Sequence, residues 1–196
     1  MYLLFWIAKQ DDDTNMIPTL ETERLYLKPL ELKFADDIFE YASLDTVSKY
    51  AVWPTHKSIE DSQSFITFCM ARYGSGRFYD WALVLKNNKN KVIGTCGLPN
   101  IIPDTKEGEI GFIVSPEFAN QGYTAEAASG VIDFAFNKLD LARVIAKVAT
   151  ENLPSSKLAE KLGMKKNKVI KNGLRNHTGI YDLNLFVLER PIEFNF

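Results

Sequence analysis

Cysteine and histidine are scarce in this 196-residue chain: Cys69 and Cys96, His56 and His177, each isolated from the others. Two distant thiols make neither a disulfide framework nor a metal-ligand cluster, and they fit a reducing cytosol. A zinc site or a histidine-based nucleophilic triad therefore carries little weight, and no metal is expected. Net charge is also lacking, at a formal −2, so nothing draws the chain as a whole toward nucleic acid or an anionic membrane. The one marked apolar run, MYLLFWIA, is closed by Lys9 and Asp11-Asp12-Asp13. It is too short to span a bilayer and has neither the basic start nor the small-residue cleavage site of a signal peptide. Two glycine-rich phosphate signatures, GxxxxGK[ST] and GxGxxG, are missing as well.

What is present suits one globular domain. Hydrophobic residues make up 46% and charged residues 24% of the chain, enough for a sizeable core. Residues 1–18 are expected to form an N-terminal extension and residues 19–192 the domain. The extension reads as a loosely held leader; an extra strand or a dimer contact is the sharper alternative, since an exposed apolar patch usually has a partner. The chain is expected to be cytoplasmic, as a monomer or homodimer.

Periodicity predicts the elements. Thr22–Leu30 alternates as a strand, while Phe34, Ile38, Phe39 and Ala42 have helical spacing. Ser58-Ile59-Glu60-Asp61 resembles a capping box with Asp in place of Glu, opening a helix with Phe65, Ile66, Cys69, Met70 and Tyr73 on one face. Tyr79–Lys86 and Lys91–Leu98 read as a hairpin. Then follow a strand at Glu107–Val114, a helix running to about Lys138, a strand at Ala142–Ala149, a helix at Ser155–Leu162 ended by Gly163, and a late strand at Thr178–Leu188. The order β-α-α-β-β-β-α-β-α-β-β is an α+β domain with one strand–helix–strand crossover.

That crossover holds the most telling feature. In PEFANQGYTAEAASGVIDFAF, a periodic helix opens on Asn120-Gln121-Gly122 instead of a Ser or Asp cap. Free first-turn amides beside a residue without Cβ leave room for an anion to approach the backbone. A lone glycine before a helix is weak evidence, because glycine often merely permits a turn.

The wider pattern is more specific. EIGFIVSPEFANQGYTAEA and, further on, ARVIAKVATENLPSSKLAEKLGM together resemble the GNAT N-acetyltransferase family, in particular its ribosomal-protein N-acetyltransferase branch. TLETERLYLKPL and VIGTCGL match that branch's first and middle strands. The resemblance covers about residues 20 to 190. It implies a GNAT acyl-CoA N-acyltransferase fold, a mixed central sheet flanked by helices, with acetyl-CoA bound where two neighbouring strands splay apart. The anion would be the CoA pyrophosphate. The family loop Q/R-x-x-G-x-G/A reads here Ala119 to Thr124, with alanine in its leading position and threonine in its last.

The resemblance further implies that Gln121, Gly122, Tyr123, Thr124 and Ala125 form the pyrophosphate loop. Ile113 and Val114 would offer backbone groups to the pantetheine arm, and Asn152 would contact it. Ser155 would sit near the cofactor sulfur and donate to the departing thiolate. Each has a plainer reading: an ordinary helix start, core packing, the turn before a helix, a first-turn cap. Strand alternation puts Glu107, Glu109, Gly111 and Ile113 on one face, which makes Glu109 the candidate to take the amine proton. The expected activity is transfer of acetyl from acetyl-CoA to a primary amine, a protein N-terminus or similar. The alternatives are a small-molecule acetyltransferase acting on a polyamine, amino acid or antibiotic, and a non-catalytic acyl-CoA-binding regulator. The acceptor site should lie between the early helices and the late hairpin, where Trp53, His56, Phe78, Tyr79 and Trp81 are candidate lining residues.

Overall fold

Thr22, where the first expected strand should start, instead closes a tight turn, and the strand begins at Leu25. The Thr22 N–H donates to Leu25 O at 3.0 Å, and its hydroxyl accepts from Leu25 N–H at 3.2 Å. The tight turn so closed joins β1 (Leu20–Glu21) to β2 (Leu25–Pro29), which pair antiparallel. In this computed structural model, which describes residues 17–88 and 91–191, packed chain extends back to Ile17, 5% exposed. Pro18 O accepts from Trp81 Nε1–H at 2.7 Å. These two residues of the expected extension therefore belong to the packed body, and the proposed leader at 1–15 lies outside the described residues.

The helices follow their sequence signals. α1 (Ala35–Ala42) and a single turn, α2 (Asp45–Ser48), precede α3 (Ile59–Arg72). Asp61 Oδ2 accepts from the backbone of Lys57 (2.7 Å) and Ser58 (3.2 Å), so Asp does serve as the acidic half of the capping box. The hairpin is β3 (Tyr79–Leu85) and β4 (Val92–Ile102). β4 runs past its expected end, with its register against the next strand shifted between Gly97 and Asn100. Pro99, lacking an N–H, sits in that irregularity.

β5 (Glu107–Val114), α4 (Tyr123–Asn137) and β6 (Arg143–Ala149) form the crossover. α4 buries Ala127, Ala128, Val131 and Ala135, a small-residue seam at helical spacing that lets it lie close on the sheet. α5 (Leu153–Lys161) then leads into the hairpin β7 (Lys165–Asn176) and β8 (Gly179–Glu189). β7 is the exposed edge, and Lys165, Lys166, Lys168 and Lys171 along it discourage pairing with another chain.

The eight strands are ordered β1-β2-β3-β4-β5-β6-β8-β7. Every neighbouring pair is antiparallel except β5 and β6. β3 shows what covers each face. Trp81 meets Phe134 of α4 edge-on at 5.4 Å, whereas Tyr41 of α1 and Cys69 of α3 face Asp80 on the other side. Trp81, Phe186, Leu25, Leu27, Leu83 and Leu98 are among the fully buried side chains. Each such Leu contributes about 1.5–3 kcal/mol by leaving water.

Candidate functional site

β5 and β6 pair for three residues only: Glu107 with Arg143, Gly108 with Val144, and Glu109 with Ile145. Beyond that point each strand stays with its outer neighbour. Ile113 and Val114 remain paired to Thr95 and Gly94 of β4, and Ala146–Ala149 to Leu183–Phe186 of β8. A gap therefore opens in the middle of the sheet, with Glu109 at its apex and the partly buried Ile113 and Val114 along one side.

Above the β5 side stands the loop that the sequence singled out. Gly122 is the N-cap of α4 at φ +84°, left-handed backbone that favours glycine, and no side chain caps the helix. The first α-helical bond runs from Glu126 N–H to Gly122 O at 3.0 Å. The amides of Tyr123, Thr124 and Ala125 precede it and have no α-helical acceptor. Gln121 is held by its own side chain, which donates to Glu117 O at 3.0 Å.

A cation missed in the sequence fixes this loop. Arg24, in the turn before β2, donates from Nε to Glu126 Oε2 (2.6 Å), from its backbone N–H to Glu126 Oε1 (2.7 Å) and from a terminal nitrogen to Gln121 O (3.0 Å). Its guanidinium carbon lies 4.3 Å from the Tyr123 ring centroid. Thr22 also donates to Glu126 Oε1, at 2.6 Å. Burial pushes the Glu126 carboxyl up, but the bonds from Thr22 and Arg24 outweigh it and hold the group below its ordinary range. Where the family loop leads with Gln or Arg, this chain has Ala119, and Arg24 brings a guanidinium to the loop from elsewhere. The TERL stretch contains it, yet no local spacing couples it to Gly122.

The β6 side ends in the first turn of α5. Asn152 is the N-cap of that helix, and its Oδ1 accepts from Ser155 N–H at 3.2 Å. The plainer reading of Asn152 is thus realised, which leaves its Nδ2 as the end able to meet a ligand. Ser155 is partly exposed. Among the described residues, two buried polar atoms, Ser156 Oγ in α5 and Asn184 Oδ1 opposite Val148 of β6, have no hydrogen-bond partner. Buried polar atoms are normally satisfied. Free amides at the start of α4, beside the opened strands, fit a ligand carrying an anionic group, as acetyl-CoA does.

Glu109 shares its sheet face with Gly111 and, through the register of β4, with Asp80, and its Oε2 is engaged by Lys147 Nζ at 2.7 Å. Glu107 pairs similarly with Arg143 at 2.7 Å. Beyond the C-terminal end of β6, residues 49–51 are tied to the β7–β8 turn. Asn176 Nδ2 donates to Lys49 O (3.0 Å) and Ala51 O (2.8 Å), and Thr178 Oγ1 donates to Lys49 O (2.7 Å). Tyr50 meets Tyr181 edge-on at 5.2 Å. The early helices and the late hairpin do come together here. Of the expected lining aromatics, Phe78 and Trp81 are core, and Tyr79 stacks on Trp81 at 5.9 Å, toward α4. Trp53 packs on His56 at 5.0 Å. Burial lowers the His56 pKa, and its Nδ1 is bonded to Ser62 Oγ at 2.8 Å.

Comparison with known proteins agrees with this geometry. The family model described as an acetyltransferase (GNAT) domain matches residues 24–165. The uncharacterized N-acetyltransferase YoaA of Bacillus subtilis is 32% identical over 91% of this chain and all of its own length. Among solved structures, a GNAT-family acetyltransferase from Bacillus anthracis superposes with a TM-score of 0.77 at 25% identity, covering 87% of this chain and 98% of that one. RimL, a ribosomal alpha-N-protein acetyltransferase in complex with coenzyme A, shares the fold with a TM-score of 0.74 at 15% identity, over 86% and 95% of the two chains. No helix among the described residues is long and apolar enough to cross a membrane.

Proposed function

The chain belongs to the GNAT acetyltransferase family and is an acetyl-CoA-dependent N-acetyltransferase; on that premise we propose that its acceptor is a primary amine at a chain end, such as a protein N-terminus. The observation that carries the cofactor half is the gap beyond Glu109 and Ile145, flanked by the uncapped start of α4. The acceptor half is supported by the likeness of its loop and Asn-x-x-Ser motifs to the ribosomal-protein branch, and by the RimL structure.

Residues Gln121 to Ala125 are assigned to the pyrophosphate, through backbone amides at the positive end of α4. Ile113 and Val114 offer main-chain groups along one side of the gap, and Asn152 and Ser155 polar groups on the other. The thioester brings an activated acetyl group to this opening. Glu109 receives the acceptor ammonium at the apex, where that ammonium takes the place of Lys147 in the ion pair. Ser155 is assigned the proton transfer to the departing sulfur.

The test is release of free thiol from acetyl-CoA with three kinds of acceptor: serine-initiated tetrapeptides, spermidine and free amino acids. The expected result is the highest kcat/KM with a peptide. A preference for spermidine or an amino acid would move the assignment to small-molecule acetylation. Binding of acetyl-CoA without turnover on any amine would favour a regulator.

A further inference from the structure

An acid on the inner face of a sheet with no cation beside it is costly to fold around, and Asp80 of β3 is such a group. In the register of the sheet Asp80 stands opposite Gly97 of β4, and Gly97 opposite Gly111 of β5. One line of residues thus runs from Asp80 to the gap, and the two nearest the gap have no side chains. A Cβ at Gly97 would lie 2.7 Å from Asp80 Oδ1 and closer still to Tyr79 O. The carboxyl therefore leans over β4, toward β5. Gly111 follows Glu109 by two residues on the same face, past the last β5–β6 pair, and so borders the opening. With strands about 4.8 Å apart, a carboxyl over Gly97 reaches a nitrogen held over Gly111 through one water.

Its surroundings suit a proton acceptor. Oδ1 accepts from Trp81 N–H at 3.1 Å, and no ion pair involves Asp80 among the described residues. The titratable groups facing it are Tyr41 from α1, Cys69 and Tyr73 from α3, and Cys96 from β4, all with raised pKa values and so neutral. Arg72 of α3 lies 4.3 Å over the Phe78 ring and donates to Pro99 O at 3.4 Å, with no ion pair to Asp80 among the described residues. Burial pushes the Asp80 carboxyl up to about 7, and the Trp81 N–H offsets this only in part. Asp80 nevertheless keeps some solvent contact.

We propose that Asp80 is the proton acceptor of the transfer, taking its proton across the Gly97–Gly111 floor from the ammonium held at Glu109. This rests on the N-acetyltransferase reading above. The ammonium gives one proton to Asp80, and the nitrogen lone pair forms the C–N bond to the acetyl carbon. The C–S bond breaks with its electron pair leaving on sulfur, and the nitrogen's second proton reaches that thiolate by way of Ser155. Asp80 then releases its proton to solvent. One ammonium and one thioester become one amide, one thiol and one proton.

The experiment compares the full-length wild type with Asp80→Asn and Asp80→Ala. It measures kcat across pH about 5.5 to 9 with a serine-initiated tetrapeptide, and acetyl-CoA binding by calorimetry. Asp80→Asn should lose about 10²–10⁴-fold in kcat at neutral pH, the range for acid–base catalysis. The loss should shrink at high pH, where the peptide amine deprotonates unaided, and acetyl-CoA affinity should hold. Added formate should restore part of the Asp80→Ala rate, which a structural role would not allow. An unchanged pH profile in Asp80→Asn, or absence of formate rescue, overturns the proposal. If no amine is turned over, the failure lies with the function reading, and carbon NMR of wild type decides on Asp80. An aspartate carboxyl titrating near neutrality and shifting with acetyl-CoA supports the role; its absence overturns it.

Discussion

Arg24 and Glu126 are joined by two hydrogen bonds, of 2.6 and 2.7 Å, although they stand 102 residues apart. The bond ties the first hairpin to the first turn of α4 and so fixes the loop at Gly122. Arg24→Gln should weaken acetyl-CoA binding about tenfold, equivalent to ~1.4 kcal/mol, as read by calorimetry. The Arg24 side chain is 41% exposed, so its contribution to fold stability is modest and melting should fall by only a few degrees. Unchanged affinity would limit Arg24 to tying the hairpin to α4, with no effect on the ligand.

Gly122→Val places a β-branched residue at φ +84°, with its Cβ 3.3 Å from an Arg24 terminal nitrogen. Backbone strain of about 1–3 kcal/mol is expected at such a position. The variant should keep its circular dichroism spectrum and lose most acetyl-CoA affinity. Binding equal to wild type would mean that this glycine serves only the turn.

Glu109→Gln removes the charge that holds Lys147 and, on the proposed reading, the acceptor ammonium. The KM for a peptide amine should rise about tenfold or more while acetyl-CoA affinity is unchanged, since ammonium binding here is a charge-assisted contact. A loss confined to kcat would instead make Glu109 the proton acceptor itself. Ser155→Ala should depress kcat more than it depresses cofactor affinity.

Asp80 also carries a stability signature. Its carboxyl is raised from an ordinary 3.8 to about 7 in the folded protein. Below pH about 4 the group is neutral whether folded or unfolded, and the folded state keeps its full advantage. As pH rises from there through 7 the unfolded chain ionises first, and that stability is lost. Asp80→Asn should therefore match wild type near pH 4 and be more stable at pH 8. The full shift corresponds to ~4 kcal/mol at 1.36 per pH unit, less to the extent that solvent reaches the carboxyl. Urea denaturation at the two pH values measures it; equal stability at both would show an ordinary, ionised carboxylate.

What the sequence made legible is what adjacent residues decide. Periodicity set α3 and α4, Asp61 announced its capping box, and Gly122 announced an uncapped helix start. Alternation alone put Glu109 on its face. The turn at Thr22 was missed because the alternation already starts there, and the turn is made by the hydrogen bonds that the Thr22 N–H and hydroxyl form with Leu25. Arg24, Lys147 and Asp80 were missed for a different reason. Each acquires its place through pairing with strands or helices far along the chain, and no local spacing encodes that register.

The gap between β5 and β6 gives the sheet two margins in its interior, of the kind that sheets otherwise have only at their rims. Such margins invite a further strand, and here the uncapped start of α4 follows the β5 margin. A ligand with amides spaced along a slender arm can bridge the two margins in place of a strand. Acetyl-CoA would then be the missing thread of the weave, and its arrival would join the two halves of the fabric. Amide hydrogens of residues 110–114 and 146–149 should exchange more slowly in its presence, and the hairpin β7–β8 should stiffen with them.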